Sequence, residues 1–181
     1  MDPDADKPLE TLFEGRWLRI RRRGRWEYVE RVHAGGMAVI IVAATPERKL
    51  LFVEQERIPV EGPTIEMPAG LVGDEEGGET LEAAASRELL EETGYESDEW
   101  VYLGRCAPEP SKHTNYAYFY VARNARRVGE QDLDDSESLA LHLYRPSEVL
   151  RMADDGEIVH GTQLTAVFWA NRKGYLQPEG E

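Results

Sequence analysis

Residues 87–95 read Arg87-Glu88-Leu89-Leu90-Glu91-Glu92-Thr93-Gly94-Tyr95. On an α-helix, Glu88, Glu91 and Glu92 fall at i, i+3 and i+4, so three carboxylates share one face within about one turn. Like charges held that close raise one another's proton affinity. Such a cluster is tolerable in full contact with water, or with a hard divalent cation among the carboxylates. Mg2+ prefers oxygen ligands and commonly bridges carboxylates to substrate phosphates. In a chain with 35 acidic residues among 181, a solvated face is the simpler reading of the three glutamates alone. The flanks shift the balance. Gly94 stands where a helix C-cap glycine belongs. Glu79 lies eight residues before Arg87, and Gly73 lies six before Glu79.

The whole pattern from Gly73 to Tyr95 is Gly-x5-Glu-x7-Arg-Glu-Leu-x-Glu-Glu-x-Gly-Tyr. It resembles the Nudix box at every specified position, and so many fixed positions make the match specific. One register stays open. The preceding segment is Glu66-Met67-Pro68-Ala69-Gly70-Leu71, and Gly70 lies nine residues before Glu79. Either Gly73 is the first box glycine, or Gly70 is and three residues are inserted in loop 72–78. The Glu-Met-Pro-Ala-Gly-Leu segment favours the insertion, because it resembles the approach to the box in ADP-ribose pyrophosphatases.

Composition bounds the rest. A length of 181 residues predicts one domain with a sizeable core. With 41% hydrophobic and 31% charged residues, the chain reads as a soluble globular protein. A net charge of −14 argues against a nucleic-acid backbone as partner. Cys106 is the only cysteine, which excludes an internal disulfide and predicts an ordinary strand residue. Residues 1–6 are acidic and unlike a signal peptide. No apolar run approaches the roughly 20 residues a membrane helix needs. A cytoplasmic protein with no membrane partner is expected.

Residues 1–9 read as a flexible tail and 176–181 as a free end, around a single domain over 10–175. Segments 16–22 and 25–33 flank a hairpin turn at Arg23-Gly24. Residues 37–44, Met-Ala-Val-Ile-Ile-Val-Ala-Ala, read as a buried strand, and 50–55 as the strand pairing back to it. A loop covers 58–63 and a helix 79–92. Strands follow at 101–106 and 116–121, separated by a Pro-rich loop, and another at 138–144. Pro146 opens a helix to about Asp154. A last helix spans 163–172, with Leu164, Val167, Phe168 and Ala170 as its apolar face. Strands and helices that do not alternate one for one indicate an α+β fold.

Beyond the box, residues 10–175 resemble ADP-ribose pyrophosphatases and nucleoside diphosphate sugar hydrolases of the Nudix superfamily. The marks are Val53-Glu54-Gln55-Glu56-Arg57, then residues 65–71, then the box. Pro110, 15 residues after Tyr95, resembles a further mark of the group, one residue short in spacing. The loop behind it, Ser111-Lys112-His113-Thr114-Asn115, departs from the Gly and acidic residues usual there.

The resemblance implies a Nudix fold, a mixed β-sheet between α-helices with an N-terminal antiparallel hairpin. It implies hydrolysis of a nucleoside diphosphate sugar, ADP-ribose first, with GDP-mannose or a broad NDP-sugar range as the alternative. An intact box weighs against a domain that senses nucleotides without cleaving them. Metal ligands carried over are Glu88, Glu91, Glu92 and the carbonyl of Ala69, with Mg2+ as the ion and Mn2+ as a substitute. Arg87 is expected to orient these carboxylates, and Glu79 to anchor the loop or cap the helix. Glu137 is the expected general base, with Asp135 and Glu130 as alternates. Arg57 is expected on a phosphate or terminal ribose and Glu66 on the sugar. Trp26 and Tyr28, on one face of a strand, are expected on the base, as the resemblance implies sometimes from the partner subunit, and His113 on the substrate. A homodimer joined through the N-terminal strands is also implied.

Overall fold

The computed structural model describes residues 2–73, 78–134 and 138–177. The elements run β1 (Leu9–Glu14), β2 (Leu18–Arg23), β3 (Trp26–Arg31), β4 (Met37–Ala43), β5 (Leu50–Arg57), β6 (Gly62–Glu66) and β7 (Ala69–Leu71). Then come α1 (Leu81–Thr93), β8 (Tyr95–Glu96), β9 (Glu99–Cys106), β10 (Tyr116–Arg123), β11 (Arg126–Arg127), β12 (Ala140–Tyr144), α2 (Pro146–Asp154) and α3 (Gly161–Arg172). This is an α+β arrangement.

The apolar run at 37–44 is unbroken because both faces of β4 are covered. Val39, Ile41 and Ala43 pack towards Ala84, Ala85 and Leu89 of α1. Ile40 and Val42 point the other way, into a cluster with Val149 and Met152 of α2 and Ala166 and Ala170 of α3. The strand lies centrally in a mixed sheet of order β7-β4-β10-β9, parallel to β10 and antiparallel to β7. Complete burial of side chains such as Ile41, Phe52 and Phe119 stabilises the sandwich by about 1.5–3 kcal/mol each.

Several elements differ from the sequence expectation. β5 does not pair back along β4. After one bridge between Ala44 and Leu50 the strands part, and β5 joins a second sheet of order β12-β5-β6. The expected loop at 58–63 is a 3-10 turn, Ile58–Val60, leading into β6. Pro63 is accommodated there because β6 is an edge strand. Helix α1 starts at Leu81, and its cap is Thr80, whose hydroxyl accepts the Ala83 N–H at 3.1 Å. The buried face of α3 is Thr162, Gln163, Ala166, Val167 and Ala170, while Leu164 and Phe168 are exposed. That helix carries apolar residues all round, so periodicity alone could not choose its inner face.

The N-terminal hairpin turns at Gly24-Arg25, with Arg23 opposite Trp26 and Gly24 at φ +58°. Glycine first in a two-residue loop suits that backbone. β1 extends the hairpin to a sheet of order β1-β2-β3, and Asp2 and Asp4 hydrogen-bond to Arg25 at its tip. This sheet meets the main body at the 112–115 loop, where the Val29 N–H donates to the Lys112 carbonyl at 2.7 Å. Among the described residues, no helix is long and apolar enough to cross a membrane.

Candidate active site

One guanidinium organises the carboxylate face of α1. Arg87 donates from Nε and Nη2 to the two oxygens of Glu79, at 3.0 and 3.3 Å. Nη1 donates to Glu88 and to Glu91, at 2.9 Å each. Nη2 also donates to the Leu71 carbonyl at 3.1 Å, tying the helix to β7. A planar fork of five donors can serve these acceptors together, and a flexible ammonium could not. The Glu79 hydrogen bond, against the opposing effect of burial and with help from Glu88 and Glu91, raises the Arg87 pKa. The same bond, with burial opposing and the Gly73 N–H assisting, holds the Glu79 carboxyl below its ordinary value. Glu79 is therefore an anchor for Arg87 and the loop, and the helix cap falls to Thr80.

Glu92 is buried, and its Oε2 accepts the Ala69 N–H at 3.0 Å. Ala69 and Glu92, both expected at a metal, thus face each other across the contact between β7 and α1. Beyond the helix, the Asp132 N–H donates to the Glu91 carbonyl at 2.8 Å, and Gln131 Nε2 donates to the Glu92 carbonyl at 2.7 Å. This docking brings Asp132 and Asp134 to the site, where the sequence reading had not assigned either. Glu130 instead pairs with Arg127 at 2.6 Å in an exposed position. Glu137 and Asp135 lie outside the described residues.

The two candidate box glycines do different things. A Cβ built on Gly70 would lie 1.9 Å from the Glu88 carboxyl carbon, so only glycine lets that carboxylate reach the β7 backbone. Gly73 has open space around it, adopts φ +89°, and donates its N–H to Glu79 at 3.4 Å.

Of these groups, Gly70, Arg87, Glu88, Glu91, Asp132 and Asp134 border a cleft of about 1260 Å³. Its lining includes Ala69 and Gly70 of β7, Ala38 and Ile40 of β4, and Ala117 of β10. Glu88, Glu91 and Arg87 stand on one side, and Arg57 with Glu66 line another part. Arg57 grips Glu66 with two bonds, Nε to Oε1 at 2.8 Å and Nη2 to Oε2 at 2.7 Å. The Thr64 hydroxyl donates to Oε1 at 2.6 Å. Glu66 is buried, which pushes its carboxyl upward, but the bonds from Arg57 and Thr64 and the charges of Arg57 and His160 outweigh that and lower it. Arg57 and Glu66, expected to act separately on substrate, are one ion pair in the fold.

Trp26 and Tyr28 stand elsewhere. They line a smaller hollow of about 400 Å³ beside the 112–115 loop, outside the main cleft of this chain. His113 borders both hollows. Cys106 lies in the cleft wall, and burial pushes its thiol pKa up. Sequence reasoning passed over His160 and Thr162, which also line the cleft. They belong to the N-terminus of α3, and no spacing pattern joins them to the box.

The donor set suits a hard divalent cation: carboxylates of Glu88, Glu91 and Glu92, a backbone carbonyl at Ala69, and a glycine that leaves room for Glu88. Among the described residues, no three His, Cys, Asp or Glu side chains form a ready-made metal cage. Arg87 at present holds Glu88 and Glu91 through one nitrogen.

Comparison with known proteins fits this geometry. Residues 35–165 match the NUDIX domain. The chain belongs to the Nudix family. This Nudix chain is 32% identical over 165 residues to methanol dehydrogenase activator from Bacillus methanolicus, covering 87% of each. It is 30% identical over 182 residues to ADP-ribose pyrophosphatase from Mycobacterium tuberculosis, covering 93% of this chain and 84% of the other. Its Nudix fold is similar to the crystal structure of an ADP compounds hydrolase, with a TM-score of 0.76 at 20% identity, covering 93% and 94% of the two chains.

Proposed function

We propose that this Nudix pyrophosphatase hydrolyses the diphosphate linkage of a nucleoside diphosphate sugar, ADP-ribose first, to AMP and ribose 5-phosphate. The carrying observation is that Arg87 gathers Glu79, Glu88 and Glu91 at the rim of a cleft where Gly70 admits the Glu88 carboxylate. The likeness to an ADP-ribose pyrophosphatase supports the choice of substrate.

Glu88, Glu91, Glu92 and the Ala69 carbonyl would hold the divalent ion, Mg2+ or Mn2+. Such an ion neutralises phosphate charge and lowers the pKa of a bound water. The chain's own residues do the rest. Arg87 keeps the carboxylates in register. The Arg57–Glu66 pair presents a fixed guanidinium to phosphate or ribose. Glu137 is the assigned base, taking the proton of the attacking water. In balance, water adds to one phosphorus, the bridging P–O bond breaks, and each product leaves as a monophosphate.

GDP-mannose is the second reading, favoured by the unusual 112–115 loop, whose His113 and Asn115 border the cleft. We also assign a homodimer through the N-terminal strands, supported by exposed Leu12, Phe13, Trp17 and Leu18 on that sheet and its approach; sedimentation at monomer mass would refute it. For the activity, the deciding experiment is product analysis in matched Mg2+ reactions with ADP-ribose and with GDP-mannose. Faster release of AMP and ribose 5-phosphate supports the first reading. GMP and mannose 1-phosphate released as fast or faster supports the second. Turnover of neither substrate would overturn both.

A further inference from the structure

His160 holds the residue position before the first turn of α3, yet its side chain makes no capping bond. Its Nδ1 instead lies 2.7 Å from the Thr162 hydroxyl. When the hydroxyl donates to Nδ1 of a neutral ring, or accepts from a protonated ring, Nε2 carries a hydrogen; the neutral tautomer with its hydrogen on Nδ1 would leave Nε2 without one. Both residues line the cleft. The mounting is rigid: Gln163 is fully buried and its amide bonds both the N–H (2.9 Å) and the carbonyl (3.4 Å) of Met67. Met67 directly follows Glu66, so α3 is pinned beside the Arg57–Glu66 pair. His160 is also close enough for its charge to act on the Glu66 carboxyl.

The charges around the cleft leave a task for this ring. Arg87 is committed to three glutamates. Arg57 has two donors committed to Glu66. Arg31 also lines the cleft, among the carboxylates of Glu66, Glu88, Glu91, Glu109, Asp132 and Asp134. A diphosphate entering so acidic a lining gains from a further donor on the α3 side, and an oriented N–H directed at a phosphate oxygen is among the stronger hydrogen bonds.

We propose that His160, oriented by Thr162, is a substrate-binding residue that donates from Nε2 to a phosphate oxygen of the nucleoside diphosphate sugar, next to Arg57. This rests on the reading of the site given under Proposed function. His160→Asn is the informative substitution. Asparagine is a preferred N-cap residue, so helix α3 keeps or gains stability while the imidazole is lost.

The test is calorimetric binding of ADP-ribose and of adenosine, without divalent cation, to the wild-type protein, His160→Asn and Thr162→Val, with Tm measured for each. Expected is about tenfold or greater weakening for ADP-ribose in His160→Asn, a smaller loss in Thr162→Val, unchanged adenosine affinity and an unchanged Tm. Equal affinity of His160→Asn and wild type for ADP-ribose overturns the proposal. So does an equal loss for ADP-ribose and adenosine, which would put the contact on the nucleoside. A wild-type protein that neither binds nor turns over any nucleotide sugar is a different result: the functional reading has then failed, and this proposal falls with it.

Discussion

Gly70 and Glu88 meet with no side chain between them: a Cβ on Gly70 would lie 1.9 Å from the carboxyl carbon and from Oε1 of Glu88. Gly70 has an ordinary strand backbone, and its φ is not among the positive values of the chain. An alanine there therefore acts through collision alone. The colliding atoms are the end of a flexible side chain, so Glu88 swings aside and the fold survives. Gly70→Ala should leave Tm within a few degrees of wild type and lower the rate of ADP-ribose hydrolysis by about tenfold or more, as expected when a ligand is displaced by 1 Å. A parallel Tm and rate measurement checks this, and an unchanged rate would remove Glu88 from the site.

Glu92→Gln keeps the shape of the side chain and can keep the Ala69 N–H bond through its amide oxygen. Only the charge is lost. Because metal-held charge stabilisation is worth several kcal/mol, the rate should fall by at least about tenfold. A smaller loss in steady-state kinetics at saturating Mg2+ would end the assignment of Glu92 as a metal ligand.

Arg87→Lys preserves charge and loses the fork. A single ammonium cannot hold Glu79, Glu88, Glu91 and the Leu71 carbonyl in the geometry that Arg87 does. The carboxylates should lose their shared orientation, raising the Mg2+ concentration for half-maximal rate by about 10–100-fold, the usual cost of removing an outer-shell partner. A Mg2+ titration of both proteins reads this. An unchanged half-point would show that Arg87 does not position the ligands.

The Arg57–Glu66 pair carries a pH signature. The folded-state pKa of Glu66 is lowered, so its contribution to stability is present above the unfolded value, about 4.3, and is lost as pH falls through the lower folded value. Arg57→Ala leaves a buried carboxylate without its main partner and should destabilise the protein near neutral pH. The guanidinium is partly exposed, with 45% of its side-chain area accessible, so the cost should fall short of the roughly 3–5 kcal/mol of a fully buried broken pair. As pH falls through the lowered folded value of Glu66, the two proteins should converge in Tm as the carboxylate takes up a proton. A Tm gap that is constant from pH 7 to pH 3 would contradict the pairing.

Much of this was legible in the chain. Spacing put Glu88, Glu91 and Glu92 on one helix face, because i, i+3 and i+4 neighbours are fixed by the helix itself. The C-cap at Gly94 and the unbroken β-branched run of β4 are equally local, and the hairpin turn expected at Arg23-Gly24 falls one residue later, at Gly24-Arg25. The box and its approach carried the family, since those residues are contiguous. Pairing was harder to read. β5 leaving β4 for β12, or Leu164 and Phe168 on the outer face of α3, depends on which surface a distant element covers.

By itself, the sequence determined the Nudix box, its helix and the placing of Glu88, Glu91 and Glu92 on one helix face, all properties of residues near one another along the chain. Only the tertiary structure decided that Arg57 grips Glu66, that Gly70 makes room for Glu88, and that Trp26 and Tyr28 face a separate hollow. It alone carried His160 to the cleft, through a buried Gln163 that bonds the Met67 backbone 96 residues away in sequence. Such contacts are made by elements folded together across long stretches of chain, and no local spacing encodes which side chains they bring into reach.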